Sequence, residues 1–366
     1  MDKISRVKNA LAHKEPDKVP KGEIGTAVAE HIKKGLLGER YINEFSQFSG
    51  SYAVALNENN LNIRELLGFD LVTCEPAAPQ SVDLEIDYHG YPVYLDIWGG
   101  QTCFPSGAAQ KIVRPAIQNL DDARSYKFPN PYDFYMGDLK EWLQKTEYYV
   151  FGLTQGIFFM SYWEFFPFLD FMVWCGTEKE KVKYWAEKCA DFYQELALIQ
   201  ADTGIHGLIY ADDLAFNSGP FISPQLFKEI FYSPIRRIVE AVKLKGVSVI
   251  IHCDGYLPYE MINMLIDLGF DGWQAIQKSA GNNIVEVKKK FGDKLTLFGN
   301  IDIDILGRGS PKDVEEEVKS VIKSVAPGGG FILSSSNELG PETSPENALA
   351  MYKAAEKFGK YPIDIL

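Results

Sequence analysis

From about residue 139 onward the chain repeats one pattern: a short apolar run ends in polar residues and gives way to a stretch with helical spacing. The runs read YYVFGLTQG, GLIYADD, VSVIIHCDG, FDGWQAIQ, LTLFGNID and GFILSSSN, and two earlier ones surround Val19 and Leu71. Parallel strands need a crossover between them, and helices then cover the faces of the sheet. Eight such units predict an α/β fold, a (β/α)8 TIM barrel formed as one domain over residues 1–366. A helical extension over residues 5–12 precedes the barrel. VDLEIDYHGYPVYLDIW, residues 82–98, alternates about a His-Gly turn and predicts a β-hairpin inserted after strand 2. A doubly wound sheet would place a glycine-rich phosphate turn after an early strand, whereas the GGG at 328–330 precedes a strand.

Charge narrows the partners. The net charge is -13, and neither a nucleic acid nor an anionic membrane is attracted to such a surface. No apolar run approaches the roughly 18 residues of a membrane span, and the first residues lack the apolar core of a signal peptide. A cytoplasmic protein is expected. The five cysteines are widely spaced without a CxxC pair, which indicates free thiols rather than a disulfide framework or a zinc ribbon.

Active sites of barrels lie where the strands end at their C-terminal side. Here those ends offer Glu23, Glu75, Gln155, Asp212, Asp213, His252, Asp254, Gln274, Gln277, Asn300, Asp302 and the residues from Ser334 to Asn337. Of these, Glu23, Gln155, Asp212, Gln274, Asn300 and Asn337 are the candidate substrate-binding residues. Because side chains alternate along a strand, His252 and Asp254 share a face while Cys253 points the other way into packing. The pair could close the strand by a hydrogen bond, share a metal ion, or move a proton. Asp212 and Asp213 either cap the next helix or gather a cation. The aromatic stretch GIFFMSYWEFFPFLDFMVW that follows strand three packs the barrel or walls an apolar ligand.

The segments RVKNALAHKEPDKVP, YADDLAFNSGPFISPQLFKEI, IIHCDGYLPYEMINMLIDLGFDGWQAI, LTLFGNID and GGGFILSSSNELGPETSPENALAMY together resemble the uroporphyrinogen decarboxylase-like superfamily. That superfamily joins porphyrinogen decarboxylases to cobalamin-dependent methyltransferases. The resemblance implies an arginine motif like RQAGRY after the first strand in the decarboxylases; this chain has KGEIGTAVAEHI there. In the methyltransferase branch it implies a zinc bound by His-x-Cys after strand five and by a further Cys after strand eight. In that register His252 keeps the histidine, Asp254 replaces the first cysteine, and Ser335 or Ser336 lies near the second.

A carboxylate in place of a thiolate makes a harder zinc site, suited to an ether or amine donor. The implied activity is methyl transfer from a small methylated donor, such as a methoxylated aromatic, to the Co(I) corrinoid (cobalamin) of a partner protein. His252, Asp254 and Asp213 would be the catalytic residues and the zinc ligands. A uroporphyrinogen-type decarboxylase and a non-catalytic ligand-binding relative are the alternatives.

Overall fold

The computed structural model describes residues 1–23, 28–42, 54–79, 81–105 and 110–364. Helix α1 (Lys3–Leu11), capped by the Asp2 carboxylate, is followed by α2 (Glu30–Leu37), α3 (Glu58–Leu67) and strand β1 (Leu71–Cys74). Four antiparallel strands come next, β2 (Val82–Tyr88), β3 (Tyr91–Leu95), β4 (Gln101–Cys103) and β5 (Lys111–Arg114). Helix α4 (Gly137–Lys145) leads to β6 (Tyr149–Gln155), α5 (Ile157–Met160), a π turn (Ser161–Phe165), α6 (Phe168–Thr177) and α7 (Lys179–Asp202). Beyond β7 (Gly207–Ala211) a small hairpin forms, β8 (Ala215–Phe216) with β9 (Gly219–Pro220). The rest alternates: α8 (Pro224–Ile230), α9 (Tyr232–Leu244), β10 (Ser248–His252), α10 (Tyr259–Leu268), β11 (Gly272–Gln274), α11 (Ile284–Phe291), β12 (Thr296–Ile301), α12 (Ile303–Arg308), α13 (Pro311–Val325), β13 (Phe331–Ser335) and α14 (Pro345–Phe358).

The parallel sheet runs β1-β6-β7-β10-β11-β12-β13. The strand expected around Val19 is reduced to a bridge that fills the remaining gap. Lys21 pairs in parallel with Leu333 on β13, while its carbonyl accepts from Asp70 N–H, next to β1, at 2.8 Å. Pro20 lacks the N–H that a longer ladder needs. The fold is thus the expected (β/α)8 barrel, with one of its eight strands shrunk to its contact point.

Side-chain alternation divides the apolar residues into two packed groups. Leu71, Phe151, Leu153, Ile209, Ile250, Phe298 and Ile332 fill the lumen together with Val7 and Ala10 of α1, which plugs the lower end. Their neighbours Val72, Val150, Leu208, Val249, Ile251, Leu297 and Leu333 face the helices. Arg6 fixes the plug by bonding Asp70 Oδ1 at 2.6 Å and Asp17 Oδ1 at 2.8 Å.

The insertion is larger than the expected hairpin. The hairpin turning at His89–Gly90 is present, but β4 and β5 extend it to four strands. Short polar strands such as β5 carry little periodic signal, which is why the sequence shows only the first pair. Trp98 fastens the insertion against Phe134, Phe165, Phe192 and Tyr193. Among the described residues no helix is long and apolar enough to cross a membrane.

Candidate active site

Two residues beyond the apolar lumen layer, most strands turn polar on the same face: Thr73, Gln155, His252, Gln274, Asn300 and Ser334, with Ala211 as the exception. This ring is the floor of the barrel mouth. His252 lies opposite Gln274 in the strand register, and its Nδ1 is bonded to Gln274 Oε1. Gln274 donates in turn to the Asn337 carbonyl at 3.0 Å. The His252 ring is therefore held so that Nε2 faces Asp213, 3.8 Å from Oδ1.

Asp254 follows on the same face, accepting from Asn337 Nδ2 at 3.0 Å, while its own amide donates to Asp213 Oδ1 at 3.4 Å. Burial, then repulsion from Asp213, pushes the Asp254 carboxyl up to about 6. Cys253 faces the helices, fully buried, and Sγ accepts from Leu214 N–H at 3.4 Å. Burial raises its thiol well above the usual range, which disfavours the thiolate.

Above this floor opens a cavity of about 820 Å³, walled by Phe159, Tyr162, Trp163, Phe168, Phe216 and Phe221, with Asp213, Asp254 and Gln277 at its base. The aromatic stretch after β6 does both things its sequence allowed. Phe158, Phe165, Phe166 and Phe171 are buried in the core, while the π turn leaves Trp163 40% exposed at the mouth. The β8–β9 hairpin brings Phe216 and Phe221 against these rings, with Phe221 5.1 Å from Tyr162. Gly255 permits its approach: with φ at +74, a Cβ there would lie 2.6 Å from the Ala215 carbonyl oxygen.

Several candidate residues take other places. Asp212 is fully buried beneath α5 and accepts from Phe159 N–H at 2.6 Å. Gly156 makes room for it, since a Cβ there would fall 2.1 Å from Asp212 Cγ. Burial drives the Asp212 carboxyl up to about 8, and the group is a helix support rather than a part of the cavity wall. Glu23 is turned between the barrel and α14, accepting from Ser335 N–H at 3.0 Å, Ser335 Oγ at 2.7 Å and Tyr352 Oη. Its carboxyl is lifted by burial to about 7. Asn300 is buried and donates to the Ile276 carbonyl at 3.2 Å. Gln155 holds Glu75 at 3.1 Å, and Gln274 and Asn337 orient His252 and Asp254.

His252, Asp213 and Asp254 are neighbours, but they do not converge as a ligand set. Among the described residues no group of three or more His, Cys, Asp or Glu side chains is arranged to hold a metal ion. Ser335, near the position of the second family cysteine, is occupied by Glu23. The side chains present therefore do not fit the expected zinc centre. The sequence signal missed entirely was AFNSGPF, in which an Asn-Ser-Gly turn sets two aromatic residues on one hairpin.

A closed (β/α)8 barrel with its polar cluster at the strand ends defines an enzyme scaffold. The family model for uroporphyrinogen decarboxylase (URO-D) matches residues 166–358; the chain belongs to that family. Uroporphyrinogen decarboxylase of Pseudoalteromonas translucida is 24% identical over 303 residues, covering 78% of this chain and 82% of that protein. The enzyme of the same name from Hydrogenovibrio crunogenus is 27% identical over 140 residues, 37% of this chain and 38% of its own length. Among solved structures, a methyltransferase from Methanosarcina mazei superposes with a TM-score of 0.70 at 16% identity, over 98% of this chain and 99% of that one. At that identity the likeness bears on the fold.

Proposed function

We propose that the barrel mouth transfers a methyl group from a small methylated donor to the reduced corrinoid of a partner protein. The observation that carries this reading is the cavity wall: six aromatic rings and two carboxylates, with no Lys or Arg among the lining residues. A porphyrinogen bearing many carboxylates would meet repulsion there and no bidentate partner. The residues outside the described set include no Lys or Arg either, so none of them can supply the missing charge. An apolar, roughly 300–1,000 Å³ pocket with few polar groups suits a small organic donor, and the methyl acceptor can approach from the open side.

The protein's own residues bind and orient the donor. The rings exclude water from the reacting carbon, Asp213, Asp254 and Gln277 face the heteroatom end, and Gln274 with Asn337 keeps the floor rigid. No step is assigned to zinc, because the candidate ligands do not converge.

The test is a screen of methylated amines and methyl ethers with a Co(I) corrinoid protein, followed by the change in cobalamin absorbance. Transfer from at least one donor, lost in Asp254→Ala, is the expected result. Decarboxylation of uroporphyrinogen at a useful rate would overturn the reading.

A further inference from the structure

The same cavity carries information about the charge of its ligand. Phe159 stacks on Trp163 with ring centres 5.6 Å apart. Tyr162 meets Phe168 edge-on at 5.5 Å and Phe221 at 5.1 Å, and Phe216 continues the wall 5.0 Å from Phe221. These rings line one space whose base carries the carboxylates of Asp213 and Asp254. Aromatic faces present negative quadrupole to a ligand and attract a cation that has already lost its water. Two carboxylates lie close together with no Lys or Arg among the described wall residues and only the His252 imidazole nearby, 3.8 Å from Asp213, so the base of the cavity favours a positive ligand. A neutral methyl ether would leave them unbalanced; a methylated ammonium ion would not.

We propose that the ligand of this cavity, and on the reading above its methyl donor, is a methylated ammonium ion held in an aromatic box over Asp213 and Asp254. The inference about transfer rests on the proposed function; the inference about binding does not. The chemistry also suits a floor without a converged metal-ligand set. In a quaternary ammonium the C–N bond breaks with its electron pair left on nitrogen, releasing a neutral tertiary amine. The methyl carbon bonds to the reduced corrinoid, which supplies the electron pair, and no proton is required.

The experiment is equilibrium binding to the full chain, read by calorimetry and by tryptophan fluorescence with Trp163→Phe as the assignment control. Choline is compared with the uncharged alcohol in which carbon replaces its nitrogen, and tetramethylammonium with methoxybenzene. The charged member of each pair is expected to bind at least about tenfold more tightly. Asp213→Asn and Asp254→Asn are each expected to weaken the cations about tenfold while leaving methoxybenzene unchanged. The wild-type isostere comparison stands even if a variant fails to fold. Tighter binding of the neutral compounds overturns the cation assignment and leaves methyl transfer intact. Binding of neither class overturns the assignment as well, and methyl transfer is then decided by the corrinoid screen alone.

Discussion

Asp254 faces Asp213 and His252, with Asn337 donating to it, and its ionisation governs what the cavity attracts. A bound cation favours the carboxylate, so affinity for tetramethylammonium rises with pH and levels off above about 6, the value to which burial and Asp213 raise this group. Titration calorimetry between pH 5 and pH 8 reads the effect, and Asp254→Asn should flatten the profile. Glu164 provides a second titration, this one in stability. It is buried against Asp96, to which it donates, and burial followed by that neighbour raises it well above the ordinary range. Asp96 in turn accepts from the amides of Trp98 and Gly100, at 2.9 Å each. The folded chain holds the Glu164 proton more tightly than the unfolded chain. Its stabilising effect is complete below about 4.5 and is lost, by about 1.4 kcal/mol per pH unit at most, as pH rises toward the folded value. Glu164→Gln keeps a donor for Asp96 and should reduce that slope in urea melts from pH 5 to pH 8. An unchanged slope would place the titrating group elsewhere. At this scale the sequence was readable where strand alternation applies, as with His252, Asp254 and Cys253. It was not readable for Glu23 and Asp212, because nothing local tells whether a carboxylate at a strand end meets solvent or a helix.

The helix that enters the barrel from below depends on one guanidinium. Arg6 joins α1 to Asp70 at the foot of β1, and the Arg6 and Asp70 side chains are only 8% and 3% exposed. Removing Arg6 leaves the Asp70 carboxylate buried without its partner, a change that costs about 3–5 kcal/mol. Arg6→Ala should lower the denaturation midpoint accordingly, while Asp17→Ala, which removes a partner 40% exposed, should cost far less. Similar losses in the two variants would mean that the buried link to Asp70 is not what secures the plug. The strands of this barrel were legible because each carries a run of β-branched or aromatic residues ending in polar ones. The first was overestimated, since the length of a strand depends on partners across the barrel, and here Pro20 limits them. The insertion was underestimated for a related reason: β4 is three residues long and is defined by its neighbours.

For the molecule as a whole, the rim of the mouth has an apolar side that the fold leaves uncovered. Leu169 is 75% and Val173 59% exposed, one turn apart on α6, the helix that also supplies Phe168 to the cavity wall, and Phe168, Trp163 and Phe216 of that wall are 42%, 40% and 48% exposed. Contiguous exposed apolar residues at the opening of a site commonly mark where a partner docks. On the proposed function that partner is the corrinoid protein, whose cofactor must come within bonding distance of a methyl group held inside the cavity. Leu169 and Val173 do not line the cavity, so donor binding and docking can be separated. Leu169→Asp with Val173→Asp should raise the KM for the corrinoid protein by about tenfold or more. The dissociation constant of the donor and the thermal midpoint should stay close to wild type, because exposed substitutions seldom move stability by more than about 0.5 kcal/mol. A KM unaffected by both charges would put the docking surface elsewhere on the molecule. A loss of donor binding in the same variant would instead mean that α6 shapes the aromatic box through Phe168.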